Sequence, residues 1–215
     1  MSESEPKFRR EPAWQRRDAL IQATLSLIAE QGVRGATVRA IAKRADVTPG
    51  LIRHHFSSKE DLITAAYERH MSNMTDLTSA PAALVDTSAR ERLIAFVEAA
   101  LKPPVVDAGS VTLWASFLNK VREDARMREI HEQTYHDFRD RLEALISGAL
   151  TEAGITATSR DLHRMAIACN AVIDGLWMEG GALPGAFEPG ELPGIGVKSV
   201  GAIIGIAMGN TEGQS

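Results

Sequence analysis

Arg53, His54 and His55 follow one another on a segment that leaves room for only about two helical turns, and Lys59 stands shortly after them. Hydrogen-bond donors on a short helix suit the major groove of DNA, which admits one helix and presents donors and acceptors on its base edges. Lys59 falls where a further helix begins. The positive end of a helix disfavours lysine on stability grounds alone, but a lysine there can clamp a phosphate. Arg39, Lys43 and Arg44 form an outer face just upstream. The plain alternative is a helical hairpin with a solvated basic face.

A second constellation is aromatic. Phe, Trp and Tyr make up 5% of the chain, yet Phe96, Trp114, Phe117, Tyr135, Phe138 and Trp177 all fall in its later part. Ring faces attract quaternary ammonium groups, and Asp174 or Glu179 could supply a counter-charge. Aromatics at helical spacing also read as core. Asp174 sits among apolar neighbours, so its carboxylate needs an internal donor or a cationic ligand. Catalytic readings are weaker. Cys169 lies in an apolar helix and reads as an inert thiol, and His131 and His136 do not share a helix face. Neither a cofactor nor a metal is expected, nor is the chain read as an enzyme.

These groups need elements to hold them. Val38, Ile41, Ala42 and Ala45 recur at steps of three and four behind a Thr37 cap, which predicts one short helix. Asp46-Val47 breaks it, and Thr48-Pro49 pairs an N-cap with proline at the first helical position. Ser57 or Ser58 caps the next helix, from Lys59 to about Leu77, with Glu60 or Asp61 completing a capping box. The first helix is expected over Ala13 to Gln31, with Gly32 as its C-cap. Thr78–Asp86 reads as a connector. Later helices are expected from Ser88 to the stop at Pro103-Pro104, from about Gly109, across Met127 to Ala149, and over Asp161 to Glu179 with Ser159 as cap. A Pro- and Gly-rich loop over 183–196 then precedes a last helix from Val197 to Met208. No β-type alternation is evident, so the fold class is all-α with about nine helices.

Arg17 to Ala23, Gly32, Thr37, Ile41-Ala42, Ala45-Asp46-Val47, Gly50-Leu51-Ile52, His55-Phe56 and Ser58-Lys59-Glu60-Asp61-Leu62 resemble the amino-terminal domain of the tetracycline-repressor (TetR) family. The resemblance implies that the helix starting at Pro49 is the recognition helix, with Thr48, Pro49, Arg53, His54 and His55 at the DNA and Lys59 on phosphate. With Thr37, Arg39 and Gly50 these are the candidate DNA-binding residues. Many members have glycine where Asp46 stands and tyrosine where Arg53 and His54 stand. Trp114-Ala115-Ser116-Phe117, Arg141-Leu142 and Ile173-Asp174-Gly175-Leu176-Trp177 resemble the betaine-regulator (BetI-like) branch, which implies an effector-binding and dimerisation domain and a choline-like ligand. Trp114, Phe117, Tyr135, Phe138, Asp174 and Trp177 are the candidate ligand contacts.

Two domains are expected, 1–62 for DNA and 63–215 for effector and dimer. The net charge of −4 divides accordingly: residues 1–60 hold 11 Lys and Arg against 7 Asp and Glu, so the basic charge is concentrated where the reader lies. Lys7, Arg9 and Arg10 form a basic arm that could follow the DNA or stay disordered. One cysteine, with no signal peptide or membrane span legible, suits the cytoplasm. Small residues crowd the last two helices, and Gly201, Gly205 and Gly209 recur every four positions. Ala166, Cys169, Gly201 and Gly205 are the candidate dimer interface, with packing inside one subunit as the alternative. The function read from these features is a homodimeric, ligand-responsive transcription regulator, most simply a repressor, partnered by double-stranded operator DNA and a small-molecule effector. Its rival is a small-molecule-binding or enzymatic helical protein whose helix-turn-helix no longer reads DNA.

Overall fold

The computed structural model describes residues 12–83 and 87–208, and every regular element among them is an α-helix. Helix α1 (Ala13–Gly35) buries Leu20, Ala23, Thr24, Leu27 and Ile28 along one face. Gly32 interrupts it with φ 69°, in the left-handed region where only glycine escapes a β-carbon clash. The stop expected there is thus a break, after which a last helical turn reaches Gly35. Helix α2 (Val38–Arg44) starts on Thr37, whose hydroxyl accepts the Ala40 N–H at 3.2 Å. Asp46 then turns the chain with φ 52°. Aspartate tolerates this conformation better than most residues, and the same requirement explains glycine as the common alternative. Helix α3 (Pro49–His55) buries Ile52 and is followed by buried Phe56.

Ser58 caps helix α4 (Lys59–Ala83), accepting the Asp61 N–H at 3.0 Å. The chain divides into two compact units between Tyr67 and Glu68, within α4 and beyond the boundary expected after Leu62. The expected connector from Thr78 is helical through Ala83 despite Pro81. The Thr75, Thr78 and Ser79 hydroxyls donate to the carbonyls of Met71, Met74 and Thr75 on their own helix, and Thr78 and Ala82 are buried. Tertiary burial therefore outweighs local propensity. Leu84–Asp86, the basic arm of Lys7, Arg9 and Arg10, and Gly209 lie outside the described residues.

The second unit continues with α5 (Ala89–Ala100), opened by a reciprocal capping box of Ser88 and Glu91, then α6 (Ala108–Glu123) and α7 (Ala125–Glu152). Helix α8 (Ser159–Ala182) is capped by Thr158, one residue before the expected Ser159. Helix α9 spans Glu191–Ile204 and not Val197 to Met208. Pro193 fits its first turn, where a missing N–H costs no intrahelical bond. A β-carbon on Gly196 would come within 2.2 Å of Leu101 Cδ1, so this glycine lets α9 close on the end of α5. The core joins Leu93, Phe96 and Val97 of α5 to Leu142 and Ile146 of α7, Ile173 of α8 and Val200 of α9.

Candidate nucleic-acid interface and ligand cavity

In the first unit, a surface groove brings Arg39 of α2, Pro49 and Arg53 of α3 and Lys59 of α4 onto one face. Thr37, Thr48, Gly50 and His54 are exposed. Thr48 takes the cap position without a side-chain cap bond, so the helix end does not consume its hydroxyl. His55 is half-buried, and burial, followed by the charges of His54, Arg16 and Arg17, disfavours its protonation. Neutral His55 offers one donor and one acceptor, whereas exposed Arg53 is a permanent cation. Arg44 lies on the outer face that also carries Arg39 and Lys43. Its guanidinium grips Glu30 with two hydrogen bonds at 2.8 and 2.7 Å and also donates to Ser26 Oγ. Arg44, and then Ser26, hold the Glu30 carboxyl down to about 2. Arg17 stacks 5.1 Å above the Phe56 ring and so braces the segment between α3 and α4.

In the second unit, five of the six nominated ligand residues line one cavity: Trp114, Tyr135, Phe138, Asp174 and Trp177. The exception is Phe117, which is fully buried in the packed interior and does not line the cavity. Trp114 and Trp177 meet edge to face with centroids 5.9 Å apart, and the Trp177 indole donates to the Val105 carbonyl at 2.8 Å. Phe138 lines the cavity while also packing on Phe96, ring to ring at 5.1 Å, so it serves core and cavity together.

Asp174 supplies the carboxylate. Asn170 Nδ2 donates to its Oδ2 at 3.0 Å. Burial pushes its carboxyl up to about 6, against the opposing pull of hydrogen bonds from Asn170 and Tyr135. Burial, reinforced by the Asp174 charge, carries the Tyr135 phenol up to about 12, so it stays a neutral donor. Asp174 is therefore ionised at neutral pH and incompletely compensated from within.

The sequence reading missed the wall that α4 contributes, including His70, Met74 and Thr78. These positions recur every four residues, a helix-face signal masked by the mixed polarity of the side chains. His70 is buried and burial lowers its proton affinity, so it faces the cavity as a neutral imidazole. The cavity is small, about 80 Å³, which suits a compact ligand and not a long acyl chain.

The nominated interface residues are mostly occupied inside one chain. Ala166 and Cys169 belong to the core of the second unit, and burial raises the Cys169 thiol to about 11, an inert state. Gly201 faces the backbone of Ile206 and the side chain of Met208, where the chain folds back after α9. Gly205 is no part of a helix-face stripe: it is the left-handed C-cap of α9, with φ 75°. Among the described residues, no group of three His, Cys, Asp or Glu side chains could hold a metal ion, and no helix is long and apolar enough to cross a membrane.

Residues 20–66 match the family profile of bacterial regulatory proteins of the tetR family, and residues 89–204 match the C-terminal domain of BetI-type transcriptional repressors. The chain is 28% identical over 173 residues to the HTH-type transcriptional regulator BetI of Burkholderia thailandensis, covering 80% of this chain and 85% of that protein. A candidate transcriptional regulator from Pseudomonas aeruginosa PAO1 superposes with a TM-score of 0.83 at 30% identity, covering 96% of this chain and 98% of the other. The fold is shared by a further candidate regulator, from Saccharomonospora viridis, in complex with choline, with a TM-score of 0.71 at 20% identity over 85% of this chain and 94% of that one. The two profiles follow one another in chain order, and the second alone spans more than half of the residues; the protein belongs to the TetR family of transcriptional regulators, with a second unit of the BetI repressor type.

Proposed function

We propose that this protein is a homodimeric repressor whose hold on a two-fold symmetric operator is released when a small organic cation enters the cavity of the second unit, choline being the first candidate. The observation that carries the reading is the Asp174 carboxylate set among Trp114, Tyr135 and Trp177 in a cavity of about 80 Å³. A partly buried carboxylate with incomplete internal compensation favours a cation, and aromatic faces favour one that carries methyl groups instead of N–H donors. The choline complex of the S. viridis regulator supports the same class. Lys59 and the cavity residues His70 and Met74 belong to one helix, α4, so a displaced cavity wall can act on the DNA-binding residues within a single element. Readers on two subunits must meet major-groove faces about 34–36 Å apart, so a small shift lowers affinity steeply.

The outer faces of α8 and α9 support a dimer contact. They expose Ile167 at 42%, Met178 at 39% and Ile195 at 40%, beside exposed Ala171 and Ala202. Ile167→Glu is expected to give monomers in sedimentation and to weaken operator binding, because both half-sites are no longer engaged together. Ile167→Glu protein that sediments as a dimer removes this face from the reading.

The effector is tested by titrating the complex with an operator selected from random duplexes. Choline and betaine aldehyde should dissociate it, and the neutral isostere 3,3-dimethylbutan-1-ol should not. Release by the neutral compound but not by the cations contradicts the aromatic-carboxylate site.

A further inference from the structure

We infer that ligands reach the cavity between α4 and α7, through a surface groove that Arg141 latches shut. The inference rests on the reading of the cavity as the effector site and adds to it a route and a gate. The groove is formed by Ser72, Thr75 and Asp76 of α4 with Thr134, Asp137 and Arg141 of α7. Thr75 and Thr134 line both this groove and the cavity. These two side chains therefore form a shared layer between the groove and the cavity.

That layer is not stitched together by its own polar groups. The Thr75 hydroxyl donates to the Met71 carbonyl at 3.1 Å and the Thr134 hydroxyl to the His131 carbonyl at 3.0 Å, each within its own helix. Arg141 makes the cross-link. Its Nη1 donates to Ser79 Oγ at 2.9 Å and lies 3.5 Å from Asp76 Oδ1, tying α7 to α4 at the end of the groove. The Arg141 and Asp76 side chains are 45% and 72% exposed, so water competes for both partners and the tie opens easily. On another side of the cavity Trp177 is held to the Val105 carbonyl at 2.8 Å by a partly buried bond, a firmer closure. Asp137 on the rim adds a negative charge that favours the approach of a cation.

A gate and a binding contact differ in their kinetics. A gate changes association and dissociation together and leaves the equilibrium unchanged, whereas a contact changes mainly dissociation. The experiment is stopped-flow binding of choline to the full-length protein, read by tryptophan fluorescence in a Trp14→Phe background that leaves Trp114 and Trp177 as reporters. Arg141→Met should raise both rates severalfold with Kd unchanged within about twofold. Ser79→Ala should do the same to a smaller extent, and Asp137→Asn should lower the association rate alone and flatten its salt dependence. Unchanged rates in Arg141→Met, or a change confined to dissociation, would overturn the gate. If choline does not bind the parent protein, the effector reading falls separately, and quenching of the two cavity indoles by acrylamide and by caesium decides the route. Stronger quenching in Arg141→Met upholds the route; equal quenching overturns it.

Discussion

Asp174→Asn is expected to abolish the response to choline and, in the same protein, to raise the stability of the ligand-free state at neutral pH. The two effects have opposite signs if, as proposed, the carboxylate serves a ligand and not the fold. Removing one partner from a desolvated charge pair costs binding about 2–5 kcal/mol, a loss of roughly 30-fold or more in affinity. The folded carboxyl sits at about 6 against a reference of 3.8, chiefly through burial. Between those two values the folded protein keeps a proton that the unfolded chain has released, so stability falls as pH rises through this window. Above about pH 6 the full penalty is present, roughly 2–3 kcal/mol for a shift of this size. The amide keeps the shape without the charge, and its single oxygen can still accept from Asn170 or Tyr135. Melting temperatures should therefore favour Asp174→Asn at pH 7.5 and converge with those of the parent near pH 4. Choline affinity of the parent should decline as pH falls through 6. A variant that is less stable than the parent at pH 7.5 would mean that the carboxylate is internally satisfied, and the cation site would lose its basis.

The second large effect is expected on DNA. Arg53 is exposed on α3 and shares a groove with Arg39, Pro49 and Lys59. If Arg53 reads a base edge, Arg53→Ala should weaken the selected operator by about 1–3 kcal/mol and leave random duplex far less affected. Lys59→Ala should weaken both duplexes alike and reduce the slope of log K against log salt by about one, the signature of a lost phosphate contact. His54→Ala is expected to follow Arg53→Ala with a smaller effect, since an imidazole lacks the planar two-donor fork with which a guanidinium grips a base edge. Fluorescence anisotropy at several salt concentrations separates the two behaviours. A uniform loss in Arg53→Ala would place it on the backbone and not on a base.

The first unit was legible because its punctuation is local. Thr37 and Ser58 form the caps the spacing predicts, Pro49 opens α3, and the break falls on Gly32. Each depends on neighbours within four residues, which a linear reading captures. Arg44 does lie on the outer face read for it, but its pairing was not legible, because its partner Glu30 lies a helix away on α1. The start of α9 failed for a related reason. Pro193, Gly194 and Gly196 carry every mark of a loop, and only the approach of Leu101 shows why glycine at 196 belongs in a helix. Proline inside α4 misled in the same way, since burial of Thr78 and Ala82 is a tertiary fact. The aromatic side of the cavity was visible through the scarcity of such residues, but scarcity does not separate cavity from core. Phe117 fell on the wrong side of that line, and Phe138 lies on both.

The central claim is that sequence-specific DNA binding in the first unit is coupled to ligand occupancy in the second. Competition between labelled operator and excess scrambled duplex, at one fixed salt concentration and with and without saturating choline, tests it most directly. The account predicts a specificity ratio of about 10³ or more without choline, and a fall in operator affinity of at least about tenfold when choline is added, with scrambled-duplex affinity little changed. Equal affinity for the two duplexes, or operator affinity indifferent to a ligand shown by calorimetry to be bound, would contradict it.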